Sequence, residues 1–207
     1  MSPQLDAILH SSPVIPVITL DKLAHAVPLA QALLGNGLKV LEITLRTPVA
    51  LDAIRELRAA FPTALIGAGT VVDTRSFEQA LAAGAQFVVS PGSTPALLQA
   101  ARDGNVPFLP GANTPSEVMR LLEQGVHSMK FFPAEAAGGT TMLKALAAPL
   151  PQARFCPTGG ITPALAPQYL ALPNVACVGG SWMVSKALVD AGDWLRIGEL
   201  AGAAAAL

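Results

Sequence analysis

The sequence predicts an α/β protein built as a single (β/α)8 TIM barrel over residues 1–207, with a short N-terminal lead-in over residues 1–13. Three observations predict it. Short β-like runs alternate with helical stretches from end to end, there are eight such runs, and no shift in composition divides the chain. Eight strand–helix units close a barrel, and 207 residues sit near the lower limit for one. A doubly wound open sheet is the rival fold. Against it, the segment LDKLAHAV after the first strand lacks the glycine-rich turn of a dinucleotide-binding sheet.

The strands are expected at VIPVITL (14–20), LKVLEITL (38–45), LIGAGTV (65–71) and QFVVSPG (86–92). They continue at PFLPGAN (107–113), SMKFFPA (128–134), RFCPTGG (154–160) and VACVGGSW (175–182). Amphipathic stretches such as LDAIRELRAA (51–60) and SFEQALAAG (76–84) read as the intervening helices. Gly35, Gly84, Gly104 and Gly125 each follow a helical run and precede a strand, the position of a helix C-cap. Pro16 is awkward inside the first strand, since it has no N–H for the ladder, and is expected to mark a strand start or a bulge.

Composition narrows the function. Hydrophobic residues make up 52% and charged residues 13%, so some helix faces are expected to be covered by other subunits. A net charge of −1 without a basic cluster argues against nucleic acid as a partner. The N-terminus MSPQLDAILHSSP has no basic start or sustained apolar segment, so no secretory signal is expected. The stretch from Phe155 to Ser185 carries no charge, yet proline and glycine interrupt it too often for a membrane span of roughly 20 apolar residues. Cys156 and Cys177 lie in strand-like runs and read as buried free thiols of a cytoplasmic protein. No Cys or His pair has metal-ligand spacing, and neither a metal nor another cofactor is expected.

A barrel carries its chemistry at the C-terminal ends of its strands, and side chains alternate between lumen and helix layer. Of the five lysines, only Lys130 lies deep inside a strand. An ammonium among Met129, Phe131 and Phe132 is costly unless paired or neutral, and a desolvated neutral amine is a nucleophile toward carbonyls. Glu42, Thr44 and Arg46 share one parity on the second strand. A carboxylate beside the amine can shuttle protons, and Arg46 at the strand top suits a substrate carboxylate. A purely structural ion pair filling the barrel is the other reading, and the two are compatible. Thr70 and Thr158 place hydroxyls at the mouth, and Phe132, sharing parity with Lys130, can wall the pocket against water.

Strands seven and eight end in Thr158-Gly159-Gly160 and Gly179-Gly180-Ser181. Paired glycines after these two strands point to a phosphate cradle of backbone N–H groups and a helix N-terminus, with Ser181 adding a hydroxyl and no Lys or Arg adjacent. His10, His25 and His127 read as structural or surface groups. Glu135 follows strand six at the active face, where helix capping explains it as well as catalysis does.

The pieces LEITLRT (41–47), IGAGTV (66–71), SPG (90–92), KFFPAE (130–135), FCPTGGI (155–161) and GGSW (179–182) together resemble the 2-dehydro-3-deoxy-6-phosphogluconate (KDPG) aldolase / 4-hydroxy-2-oxoglutarate (KHG) aldolase family. The resemblance implies a lyase of the Entner–Doudoroff pathway that cleaves a phosphorylated keto acid to pyruvate and glyceraldehyde 3-phosphate through a Schiff base, as a cytoplasmic, metal-free homotrimer. It implies Lys130 as the Schiff-base lysine and Glu42 as general acid/base. It further implies Arg46 and Thr70 at the substrate carboxylate, Thr158 along the substrate chain, and Gly159, Gly160, Gly180 and Ser181 at the phosphate. From the residues alone, a phosphate-binding barrel isomerase without an imine and a non-catalytic sugar-phosphate binding protein both stay open.

Overall fold

A computed structural model describes residues 3–207; Met1 and Ser2 of the expected lead-in lie outside the described residues. The chain opens with helix α1 (Pro3–Leu9), then alternates β1 (Val14–Ile18), α2 (Ala26–Gly35), β2 (Val40–Thr44), α3 (Ala50–Ala60), β3 (Leu65–Gly69), α4 (Thr74–Ala82), β4 (Val88–Val89) and α5 (Pro95–Asp103). It continues through β5 (Phe108–Leu109), β6 (Gly111–Ala112), α6 (Pro115–Glu123), β7 (Ser128–Phe131), α7 (Gly139–Ala147), β8 (Arg154–Pro157), α8 (Ala166–Leu170) and β9 (Val178–Gly180), ending in α9 (Lys186–Ala191) and α10 (Trp194–Ala205). The α/β class holds, and all the strand pairs are parallel.

The strands do not form eight equal, uninterrupted runs. Six of them make a curled half-barrel in the order β5-β4-β3-β2-β1-β9, and β6-β7-β8 form a second sheet. The fifth expected strand is cut into β5 and β6 by Pro110, which has no N–H to donate. Its carbonyl still accepts from the Lys130 amide at 2.8 Å. Isolated bridges Phe155↔Val175 and Thr158↔Gly179 link β8 to the run that contains β9. The strands end one to three residues before the sequence suggests.

Pro16 is neither a strand start nor a bulge. It sits inside β1 and pairs one-to-one with Gly180, while pairing with β2 begins at Val17, just past the ring nitrogen that cannot donate. Of the four expected C-cap glycines only Gly35 is displaced, and Gly104 caps α5 without left-handed backbone. Gly84 and Gly125 take left-handed backbone, but Gly35 is the last residue of α2 and Gly104 has a φ of −82°. The left-handed residues there are Gly37 and Asn105.

Two cores follow from strands buried on both faces. The larger lies between sheet and helices, where α2 buries Leu29 and Leu33, α3 buries Ile54 and Leu57, and Phe131 meets Phe155 edge-on at 6.1 Å. The smaller fills the lower lumen with Ile15, Val40, Phe87, Val89, Leu109, Cys156 and Cys177. Leu5, Ile8 and Leu9 of α1 belong to it. The lead-in is therefore a helical plug, held also by Ser128 Oγ donating to the Asp6 carboxylate at 2.7 Å. No helix among the described residues is long and apolar enough to cross a membrane.

Phe87 fits only because Gly67 lacks a side chain, since a Cβ there would overlap its ring. Phe87 is fully buried and has little room to yield. Gly67→Ala is expected to destabilise the fold by about 1–3 kcal/mol, read as a lower urea midpoint; an unchanged midpoint would mean that the lumen can repack around the methyl group.

Candidate active site

Glu42 on β2 and Lys130 on β7 point into the same lumen. Lys130 Nζ donates to Glu42 Oε1 at 3.2 Å, and each side chain is only 5% exposed. The strand register puts Val17, Glu42 and Gly67 on one level and Gly111, Lys130 and Cys156 on another. A buried charge with no partner costs several kcal/mol, so each of these groups requires the other. The lysine nitrogen also sits 5.5 Å from the centroid of the Phe132 ring. Phe132 thus stands beside the amine as its parity suggests.

The space for Glu42 comes from Gly69. A Cβ at that position would overlap the Glu42 carboxylate. Beyond Leu65, Gly67 and Gly69 leave the lumen side of β3 without side chains, where Glu42 and Phe87 fit. Sequence reasoning passed over Gly69. The available signal was a glycine inside a strand, which marks close approach of another group.

Arg46 and Thr70 meet at the mouth, where Arg46 Nε donates to Thr70 Oγ1 at 2.9 Å. Thr70 lies just past β3 with a φ of 61°, a left-handed conformation that costs a β-branched residue about 1–3 kcal/mol. Strain of this kind collects at functional sites. Thr44 keeps the parity of Glu42 but is spent locally, donating to the Ile18 carbonyl at 2.9 Å and lying 2.8 Å from Thr19 Oγ1.

Thr158 is buried beside Gly179, where a Cβ would overlap its hydroxyl. Gly159 and Gly160 both take left-handed backbone, and a Cβ at Gly180 would collide with the Trp182 ring. Phe132, Thr158, Gly159, Gly160, Gly180 and Ser181 line one open cavity of about 490 Å³, and Arg46 reaches it too. The two loops differ from expectation in two respects. Ser181 leads into a three-residue 3-10 turn rather than an α-helix, and the helix after the Gly159-Gly160 loop begins only at Ala166. Lys186, outside both glycine loops in sequence, lines the same cavity.

The remaining candidates lie elsewhere. The Glu135 carboxylate accepts from Tyr169 Oη, and burial, then that carboxylate, raise the Tyr169 phenol well above its ordinary range. His127 lines a separate cavity against α1, and His25 packs edge-on against Trp194. Cys156 and Cys177 are buried free thiols. The neighbouring Cys156 thiol first, then burial, push the Cys177 thiol well up, and it is no nucleophile at neutral pH. Among the described residues no group of three His, Cys, Asp or Glu could hold a metal ion.

The family described as KDPG and KHG aldolase matches residues 5–200. The KHG/KDPG aldolase of Escherichia coli K12 is 51% identical over 196 residues, covering 95% of this chain and 92% of that protein. The crystal structure of KDPG aldolase from Legionella pneumophila, with pyruvate captured as a covalent carbinolamine, superposes with a TM-score of 0.96 at 49% identity and covers 99% of this chain and 100% of the other. The aldolase of Zymomonas mobilis ZM4 with 3-phosphoglycerate gives 0.94 at 44% identity, covering 100% and 97%.

The fit between Gly69 and Glu42 is testable. Gly69→Ala should force the carboxylate to move by about 1 Å, which costs on the order of 10²-fold in turnover, while circular dichroism stays native. A variant with normal kcat would show that Glu42 does not need its present position.

Proposed function

The chain belongs to the KDPG and KHG aldolase family, and from that premise we propose a class I aldolase in which Lys130 forms the Schiff base and Glu42 carries the protons. The enzyme is a lyase that cleaves 2-dehydro-3-deoxy-6-phosphogluconate to pyruvate and glyceraldehyde 3-phosphate, and 4-hydroxy-2-oxoglutarate is its second substrate. One observation carries the assignment of roles: the 3.2 Å contact between two groups that are almost wholly withdrawn from water.

A proton crossing that contact leaves a neutral amine, which attacks the 2-keto carbon. Protonated Glu42 then returns the proton to the carbinolamine hydroxyl, water departs, and an iminium forms. The iminium draws the electrons of the C3–C4 bond while Glu42 takes the C4 hydroxyl proton. Glyceraldehyde 3-phosphate is released, the enamine is protonated at C3, and hydrolysis frees pyruvate and the lysine.

Arg46 with Thr70 takes the substrate carboxylate, Thr158 contacts the substrate chain, and Phe132 keeps water from the imine. Gly159, Gly160, Gly180 and Ser181 take the phosphate through backbone N–H groups and one hydroxyl. The shared cavity and the Arg46–Thr70 bond support these placements. We further read the two sheets as one closed eight-stranded barrel in a single domain, supported by the Lys130–Pro110 bond and the bridges from β8.

A homotrimer in the cytoplasm completes the proposal, supported by the low charge content and by Val72, Met119 and Leu195, which are 56, 50 and 79% exposed. Light scattering that gave the mass of one chain, 21.2 kDa, would refute the trimer.

The roles of Lys130 and Glu42 are tested together. Pyruvate with borohydride should leave a stable adduct at Lys130 by peptide mass mapping, and label at Lys144 or Lys39 would overturn the assignment. Glu42→Gln should lower kcat by about 10²–10⁴-fold and slow the trapping. Near-normal cleavage by a folded Glu42→Gln variant would leave Glu42 a structural carboxylate.

A further inference from the structure

We infer that Lys186 is the cation of the phosphate subsite and sets the preference for phosphorylated over unphosphorylated substrate, an inference that rests on reading the Gly160 and Gly180 loops as the phosphate cradle. Three observations lead to it. The loops that supply the cradle carry no charge, since the uncharged stretch from Phe155 to Ser185 spans both of them. The first charged residue after that stretch is Lys186, and its side chain lines the same cavity as Gly160, Gly180 and Ser181. Asp21, in the loop after β1, lines that cavity too, and Lys186 Nζ pairs with its carboxylate at 2.5 Å and with Asp190 at 3.0 Å.

The order of strands gives this arrangement its meaning. β1 lies between β2 and β9, so the loop bearing Asp21 runs between Arg46 on one side and Lys186 on the other. The substrate is anionic at both ends, with a carboxylate at one and a phosphate at the other. Arg46, tied to Thr70, stands at the β2–β3 side, and Lys186 at the β9 side. The cavity thus has one cation for each end of the substrate.

Asp21 explains why the cation matters. An unneutralised carboxylate in the wall of the cavity would repel a phosphate dianion. Lys186, shared between Asp21 and Asp190, offsets part of that charge in the free enzyme and can turn to the phosphate when substrate arrives. The exchange is easy because the Lys186 side chain is 71% exposed and exposed pairs contribute little. A merely structural bridge makes a different demand: breaking it from either side should have the same effect.

The test compares Lys186→Ala, Lys186→Arg and Asp21→Asn on the phosphorylated substrate and on 2-dehydro-3-deoxygluconate, which is the same sugar acid without its phosphate. Lys186→Ala should raise KM for the phosphorylated substrate about three- to tenfold more than for the other, the size expected of one partly exposed charge pair. It should also flatten the dependence of kcat/KM on salt. Lys186→Arg should restore the preference. Asp21→Asn should shift KM the opposite way, lowering it for the phosphorylated substrate. Equal losses on both substrates, or Lys186→Ala and Asp21→Asn moving together, would overturn the inference. Ser181→Ala and Gly160→Val, run alongside, separate the two levels. If they erase the phosphate preference and Lys186→Ala does not, this inference alone fails; if none of the three touches it, the phosphate reading of the loops fails as well.

Discussion

The buried pair of Lys130 and Glu42 is the constraint around which the lumen is organised. Two charges 3.2 Å apart in a nearly dry interior hold each other in place, and neither could stay without the other. Beneath them Ile15, Val40, Phe87, Leu109 and the apolar face of α1 fill the lumen, and Ser128 of β7 bonds to Asp6 of α1. The proposed chemistry suits this enclosure, because the iminium keeps a positive charge on the same nitrogen. Glu42 therefore has a cationic neighbour before the substrate is bound and again after the imine has formed. Large movements of charge are avoided in the place where they would be most costly.

Space is the second requirement, and it is met by omission. Gly67, Gly69, Gly111 and Gly179 each sit where a Cβ would strike a neighbouring group: the Phe87 ring, the Glu42 carboxylate, the Pro91 carbonyl and the Thr158 hydroxyl. Barrel interiors of this size are otherwise filled by side chains. The room for Phe87, Glu42, the Pro91 carbonyl and Thr158 is thus written into the chain as residues without side chains.

The alternation of strands and helices was legible because its period is local. The pairing of Lys130 with Glu42 was legible because strand parity and the cost of a buried charge leave few alternatives. Phe132, Arg46 and Thr70 followed from the same parity and from their places at strand ends. Other features depend on contacts between distant segments, which no local pattern carries. The apolar face of α1 looks like any short amphipathic stretch until the open end of the barrel is there to receive it. Gly69 reveals its purpose only when Glu42 is beside it. Lys186 lies five residues beyond Ser181 along the chain, past a 3-10 turn that returns it to the cavity. Pro110 divides β5 from β6, yet Leu109 and Gly111 on either side of it pair with different strands.

The plug formed by α1 has a bearing on traffic. Leu5, Ile8 and Leu9 close the lower lumen, and the cavity bordered by Arg46, Ser181 and Lys186 opens where the strands end. A molecule anchored at Lys130 occupies the inner end, and any fragment nearer the rim stands between it and solvent. In the proposed mechanism the phosphorylated aldehyde leaves first, because the three-carbon acid is still bound covalently to Lys130.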